Sequence, residues 1–194
     1  QLVKDKADFA RKGIARGRTL IAMRYDGGIL LVAENASNTL RKISEIYDRI
    51  AFAGVGKYNE FDSLRQAGIR AADLTGYQFS RRDVDGRSLA NQYGQIIGQS
   101  FTHESKPLEV EILIAEVGIT SDGDCMYHIS FDGTVSDEKT FCVLGGDDAA
   151  VTTRLQESTA NDPTLKSNLQ RAVAALSGPD RTLTAEDLEV AILS

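Results

Sequence analysis

Thr19-Leu-Ile-Ala-Met-Arg-Tyr25 and Ile29-Leu-Leu-Val-Ala-Glu34, joined by Asp26-Gly27-Gly28, decide how this chain folds. Each run is rich in β-branched and other apolar residues, and the glycines between them supply the positive φ that a tight hairpin demands, so the segment predicts a β-hairpin. Ile29 to Ala33 has no polar phase at all. A strand that is apolar on both faces must be covered on both faces, so this hairpin belongs inside a layered structure. Ile112-Leu-Ile-Ala115 has the same character.

Working outward, Lys42 to Tyr47 and Ile50 to Val55 predict a second pair of strands, ending in Gly54-Val55-Gly56 before a helix. On that helix Phe61, Leu64, Gly68 and Ala71 recur at three- and four-residue intervals and form one apolar stripe. Arg81 to Gly86 reads as a polar loop. From Ser88 to Glu104 a second amphipathic helix carries Leu89, Tyr93, Ile96, Ile97, Ser100 and Phe101, and Pro107 follows its end. Val110 to Val117, Cys125 to Phe131 and Phe141 to Leu144 then predict a sheet of their own, with turns at Ser121-Asp122-Gly123 and Asp132-Gly133. Two more helices are expected, Asp147 to about Ala160 and Pro163 to Leu176. The second has Asp162 as N-cap, Pro163 at its first position and Gly178-Pro179 as its stop. Leu188 to Leu193 closes the chain as a strand. Two helix pairs at separate places in the sequence supply two outer layers, which gives an α+β fold class: a four-layer αββα sandwich in a single domain over residues 1–194.

Composition removes several functional classes. The net charge of −6 excludes a general nucleic-acid binder, which needs a concentrated positive surface. No apolar stretch approaches the ~18 residues of a membrane span, and no basic-then-apolar signal pattern follows Gln1. Cys125 and Cys142 have no C-x-x-C spacing and read as buried packing residues, so a reducing, cytoplasmic setting is expected. The exception to the acidic balance is the segment from Lys4 to Arg18, which carries Lys4, Lys6, Arg11, Lys12, Arg16 and Arg18 against Asp5 and Asp8. Its plain reading is the solvated face of a terminal helix.

Catalytic chemistry has little footing. His103 falls in the last turn of a helix, where an imidazolium complements the dipole. His128 alternates with Tyr127, Ile129 and Phe131 and is expected to face solvent. Two histidines predict neither a serine triad nor a metal site. Gly54-x-Gly56-Lys57 lies between strand and helix, where phosphate loops occur, but Tyr58 stands where such a loop needs Ser or Thr, and a tight strand-to-helix turn explains the glycines. Asp147-Asp148 and Glu186-Asp187 sit where caps are needed. No catalytic residue, metal ligand or cofactor is therefore expected.

Ala10-Arg-Lys-Gly-Ile-Ala-Arg16, Ile21 to Glu34, Lys42-Ile-Ser-Glu-Ile-Tyr-Asp48, Lys106-Pro-Leu-Glu-Val-Glu-Ile-Leu-Ile-Ala115 and Leu188-Glu-Val-Ala-Ile192 together resemble the α-type subunits of the actinobacterial proteasome core particle along nearly the whole chain. The resemblance implies an Ntn-hydrolase fold. It also implies heptameric outer rings of neighbouring α subunits that gate substrate entry, template the rings of β subunits and dock ATP-driven ring unfoldases through their C-terminal tails.

In that family β subunits attack peptides with an N-terminal threonine whose own amine is the base. The hairpin register puts Arg18 where that threonine would stand; Thr19 is locked in an amide with Arg18, and Gly17 is followed by Arg, not Thr. The resemblance thus implies a non-catalytic subunit; the alternative is an active Ntn-type threonine protease with its nucleophile elsewhere, and a third reading is an unrelated α/β binding module. It assigns Lys42 and Gly17 to a pocket that receives an activator's terminal carboxylate. A lysine suits that task as a compact charge on a long stem, and a glycine as a point of close backbone approach. Residues 1–13 are expected to form a basic helical segment making ring contacts through Val3, Ala7, Phe9 and Ala10. The family's tyrosine- and proline-bearing gating stretch is not found from Gln1 onward, and Lys106-Pro107-Leu108 replaces the Arg-Pro-aromatic-Gly pattern of archaeal and eukaryotic relatives.

Overall fold

In the computed structural model, which describes residues 1–159 and 161–194, the hairpin is the centre of a sheet. β1 (Leu20–Tyr25) pairs antiparallel with β2 (Gly28–Glu34), with Tyr25 opposite Gly28. The turn proper is Asp26-Gly27, and the positive φ falls one residue later, on Gly28 at 147°. A Cβ there would come within 2.1 Å of the Leu193 carbonyl oxygen, so close strand approach also requires the glycine.

β3 (Ile43–Tyr47), β4 (Ile50–Gly56), β5 (Val110–Glu116), β6 (Cys125–Ile129) and β7 (Val135–Glu138) form a five-stranded antiparallel sheet in chain order. β8 (Phe141–Leu144) and β9 (Leu188–Leu193) complete the hairpin's sheet in the order β8-β1-β2-β9. The expected separate middle sheet does not form. β5 pairs with β4 and continues the earlier strand pair, while β8 leaves its neighbours and pairs with β1, Leu20 opposite Leu144. β7, where only a turn at Asp132-Gly133 was expected, is short and half-polar and carries no apolar run to announce it.

Strand periodicity then builds three apolar layers. Leu20, Ala22, Ile29, Leu31 and Ala33 face Ala51, Ala53, Val55, Leu113, Ala115 and Met126 across the space between the sheets. The alternate residues Ile21, Met23, Leu30 and Val32 pack on Val151, Leu155, Ala172, Ala175 and Leu176, which belong to α4 (Asp148–Glu157) and α5 (Leu165–Ser177). Phe52, Ile112 and Ile114 pack on Phe61, Leu64, Leu89, Tyr93 and Ile97, which belong to α2 (Tyr58–Gln78) and α3 (Gly86–His103). The layers run helix, sheet, sheet, helix, the αββα sandwich of the Ntn-hydrolase fold. Each fully buried aliphatic or aromatic side chain contributes about 1.5–3 kcal/mol.

Local departures have local causes. In α2 the fourth buried position is Ala72, not Ala71, which is half-buried. In α3, Ile96 lies outside the stripe at 45% exposure, and the helix starts two residues early because Asp85 caps it, accepting from Ser88 N at 2.8 Å. The expected loop before it holds one 3₁₀ turn, Arg81–Asp83. α4 ends at Glu157; Ala160, the expected end, lies outside the described residues. α5 begins two residues later than expected: Thr164, not Asp162, is its N-cap, and Asp162 instead bonds the Thr164 amide at 3.0 Å in an Asx turn. Gly178 ends α5 at φ 68°.

α1 (Leu2–Ala15) lies outside the layers against β4 and β5. Lys6 Nζ donates to the Phe101 carbonyl at 3.1 Å, and Arg11 stands 5.2 Å from the Phe131 ring centroid, so its positive charge is partly applied to its own body. Ala10 is wholly buried within the chain and Ala7 half-buried, whereas Leu2, Val3 and Phe9 are exposed. No helix among the described residues is long and apolar enough to cross a membrane.

Candidate functional site

Where α1 ends, the chain must turn into β1, and Gly17 makes that turn against β4. Its amide donates to the Ile14 carbonyl at 2.8 Å, and a Cβ would stand 2.8 Å from Val55 Cγ1 and 3.0 Å from Gly56 N. A side chain there would force Val55 or the adjoining backbone to shift. Gly17 therefore lines two adjoining cavities, one of about 520 Å³ with Lys12, Arg16, Lys57 and Lys106 against Glu109, the other of about 410 Å³ with Arg18, Thr19, Glu34, Asp147 and Arg181.

Lys42 reaches the same corner from the start of β3. Its Nζ donates to the carbonyls of Arg18 at 2.9 Å and Glu34 at 3.1 Å, which places it one residue from Gly17. Burial lowers its pKa to about 8, against the opposing pull of the Glu189 and Glu34 carboxylates. An ammonium has three donors, so two carbonyl bonds leave one hydrogen for a further acceptor.

The backbone of Lys42 is held from the other sheet. Glu189 of β9 accepts from Lys42 N at 3.0 Å, from Ile43 N at 2.8 Å and from Asn35 Nδ2 at 3.2 Å. It is a buried carboxylate wired to donors, as burial of charge requires. Glu34, at the end of β2, binds Arg181 through both oxygens at 2.9 Å and lies 3.4 Å from Arg18. The Arg181 guanidinium is the main reason the Glu34 carboxyl titrates below the usual range; burial opposes it, and the charges of Arg181, Arg18 and Lys42 add to the lowering.

Thr19 is buried, and its carbonyl accepts Glu34 N at 3.1 Å as the first rung of the hairpin. Its own nitrogen is the peptide link to Arg18. The corner thus holds two charged arrangements, a lysine on carbonyls and a carboxylate between arginines.

Sequence reasoning pointed to Lys42 and Gly17, and the structure brings them to one corner. It missed Glu34, Arg181 and Glu189. A signal existed for Glu189, which shares the inward phase of its strand with Ala191 and Leu193; a charge on that phase must be paired. The glycine turn after β4 holds Gly56 at φ 114°, with Lys57 N donating to the Glu109 carbonyl at 2.9 Å, as a tight turn and not a phosphate cradle. Glu186-Asp187 lies in a capping box with Thr184. His103 Nδ1 lies 3.2 Å from the Gln99 carbonyl in the last turn of α3. His128 does not face solvent as expected. It lies on the Met126 side of β6, at the margin of the inter-sheet layer, with Nε2 3.2 Å from Glu111 Oε2. Strand alternation placed it opposite Tyr127 correctly, but in a sheet covered on both faces the opposite side is interior too. Cys142 is buried as expected; Cys125 is only half-buried.

Comparison with known proteins assigns the chain. A family model described as "Proteasome subunit" matches residues 14–193. The proteasome subunit alpha of Acidimicrobium ferrooxidans is 58% identical over 193 residues, covering all of this chain and 83% of that protein. Those of Thermobifida fusca and Frankia alni are 54% and 52% identical over 196 and 202 residues, again across all of this chain and 79% and 84% of theirs. The match takes in both sheets, all four sandwich helices and the Lys42 corner, and the chain accordingly belongs to the proteasome subunit family, on its actinobacterial α-type branch.

Proposed function

We propose that this chain is a non-catalytic α-ring subunit of a cytoplasmic proteasome core particle that degrades proteins, and that it gates the particle, helps order the β rings and docks ring-shaped activators. The observation that carries the non-catalytic reading is chemical. Thr19, the hydroxyl residue at the head of β1, has its nitrogen in a peptide bond behind α1 and Arg18, and the neighbouring cavity is lined by the Arg18–Glu34–Arg181 ion pairs. The purified chain, free of β subunits, is expected to hydrolyse no peptide and to take no adduct from threonine-directed covalent inhibitors. An adduct on Thr19, or a mature chain whose N-terminal sequencing begins there, would support the rival threonine protease.

For activator docking, Lys42 has one ammonium hydrogen in reserve, and the larger cavity beside Gly17 is lined by Lys12, Arg16, Lys57 and Lys106. The basic lining of that cavity suits a terminal carboxylate arriving with its peptide backbone against Gly17, while Lys42 lines neither cavity and meets the corner through the Arg18 carbonyl. Lys42→Ala is expected to leave core-particle assembly intact and abolish binding of an activator's C-terminal tail; unchanged affinity would retire the assignment. Because the ammonium loses its charge near pH 8, tail affinity should fall as pH rises through that value.

Residues 1–13 supply ring contacts in this reading, through Leu2, Val3 and Phe9 and not through the internally buried Ala10. Deleting the chain before Gly13 should reduce assembled rings on native mass spectrometry. Complete rings from the truncated chain would remove α1 from the interface.

A further inference from the structure

At the edge of the sandwich away from Lys42, three strands and the opposite sheet converge on a second polar group. Glu111 on β5, His128 on β6 and Glu138 on β7 all fall on the inward phase of their strands. Leu113 pairs with His128 and Met126 with Glu138, so the three side chains form a diagonal row. Cys142 on β8 meets this row from the other sheet as part of the inter-sheet layer. Ligand atoms of His128, Glu138 and Cys142 lie within 4.8 Å of one another.

The group is poorly balanced as it stands. Its one hydrogen bond among the described residues joins His128 to Glu111, while two carboxylates and a thiol share a half-buried space. The Cys142 thiol is buried within 4.8 Å of the Glu138 carboxylate and the His128 ring. A divalent cation removes both difficulties by neutralising the carboxylates and stabilising the thiolate.

We propose that His128, Glu138 and Cys142 form a binding site for a borderline divalent cation of the zinc class, with Glu111 as the carboxylate that orients the His128 ring. One nitrogen, one oxygen and one sulfur ligand match zinc's preferences, whereas magnesium and calcium take oxygen alone. Zinc's ligands lie about 2.0–2.3 Å from the ion and hence roughly 3.3–3.8 Å apart, a contraction of about 1 Å from the observed spread and within reach of side-chain rotation. On binding, a metal–sulfur bond replaces the S–H bond, the proton leaves to solvent and the ion exchanges water for the three side chains; no electron moves. Glu138 and Cys142 belong to the edge strands of different sheets, so the ion would tie the sheets together where β7 passes into β8.

The test is titration of the untagged, metal-free chain with Co²⁺, followed by displacement with Zn²⁺. Expected is one ion per chain with a sulfur-to-cobalt charge-transfer band in the near ultraviolet, and a Tm raised by roughly 5–10 °C at a hundredfold excess of Zn²⁺ over Kd. Cys142→Val should abolish the band and Cys125→Ser should leave it. Glu138→Gln, which keeps the side chain's shape should the cysteine variant fail to fold, should weaken binding at least tenfold, and Glu111→Gln should weaken it about 10- to 100-fold while the band persists. A wild-type chain without the band overturns the site, as does a band lost with Cys125→Ser and kept in Cys142→Val, or an affinity unmoved by Glu138→Gln.

Discussion

The two edges of the sandwich solve the same problem in different ways. At the β9–β3 edge a carboxylate from one sheet, Glu189, accepts backbone hydrogen bonds from the first residues of the other, Lys42 and Ile43, and Lys42 in turn donates to the carbonyls where β1 begins and β2 ends. At the β8–β7 edge a thiol meets an imidazole and two carboxylates with a single hydrogen bond among them. Between the two edges the inter-sheet layer is apolar. Polar groups at the margin of such a layer must be paired or supplied with a counter-charge; the first edge supplies its own pairing, and the second is short of one cation. The same contrast separates a corner whose lysine is held by the chain's own carbonyls from the corner proposed to bind an ion.

The contrast breaks most readily at Glu189. Glu189→Ala leaves the amides of Lys42 and Ile43 and the Asn35 side chain without their acceptor and removes a counter-charge from the buried Lys42 ammonium, and should cost about 3–5 kcal/mol in urea unfolding. A loss under about 1 kcal/mol would mean that water replaces the carboxylate and that the edge is not self-sufficient. Next in size is the pH response of Lys42. Its folded pKa lies below its unfolded value, so between about pH 8 and the ordinary lysine range the unfolded chain holds more protons than the folded one. Stability from this group therefore rises with pH across that window, by about 3 kcal/mol, and Lys42→Met should flatten the rise.

Arg181→Ala removes the paired bonds to Glu34. Arg181 is 44% exposed, so solvent screening limits the loss to about 0.5–1 kcal/mol. Glu34 titrates below its ordinary range, so its contribution is present above the unfolded carboxyl pKa and fades as pH falls through the folded one; the variant should unfold at a higher pH in acid titration. The smallest effect is expected at the opposite edge. Without metal, Cys142→Val exchanges one small buried side chain for another and should change stability by less than about 1.5 kcal/mol. A much larger loss would show that the thiol is already paired and that the two edges are alike.

Much of the fold was legible because it is written at short range. The Thr19–Glu34 hairpin, the stripes of α2 and α3 and the stop at Gly178 follow from side-chain periodicity and φ preference within a few residues. The caps of α5 and α3 were less legible, since Asp85, Asp162 and Thr164 all offer a capping oxygen and only backbone geometry selects among them. At the candidate site Lys42 and Gly17 came from resemblance, and no local pattern announced their carbonyl and carboxylate partners. Glu34 and Arg181 are 147 residues apart, a pairing to which periodicity is blind.

By itself, then, the amino-acid order determined which segments become strand or helix and which faces must be buried, because those depend on neighbours along the chain. Only the tertiary structure decided which strands share a sheet, sending β8 to β1 and β5 to β4, because apolar strands alike in pattern do not name their partners. The same assembly turned His128 from an expected surface residue into one facing Glu111 and set Cys142 beside Glu138. Chemistry that needs side chains from two sheets exists only once those sheets have met.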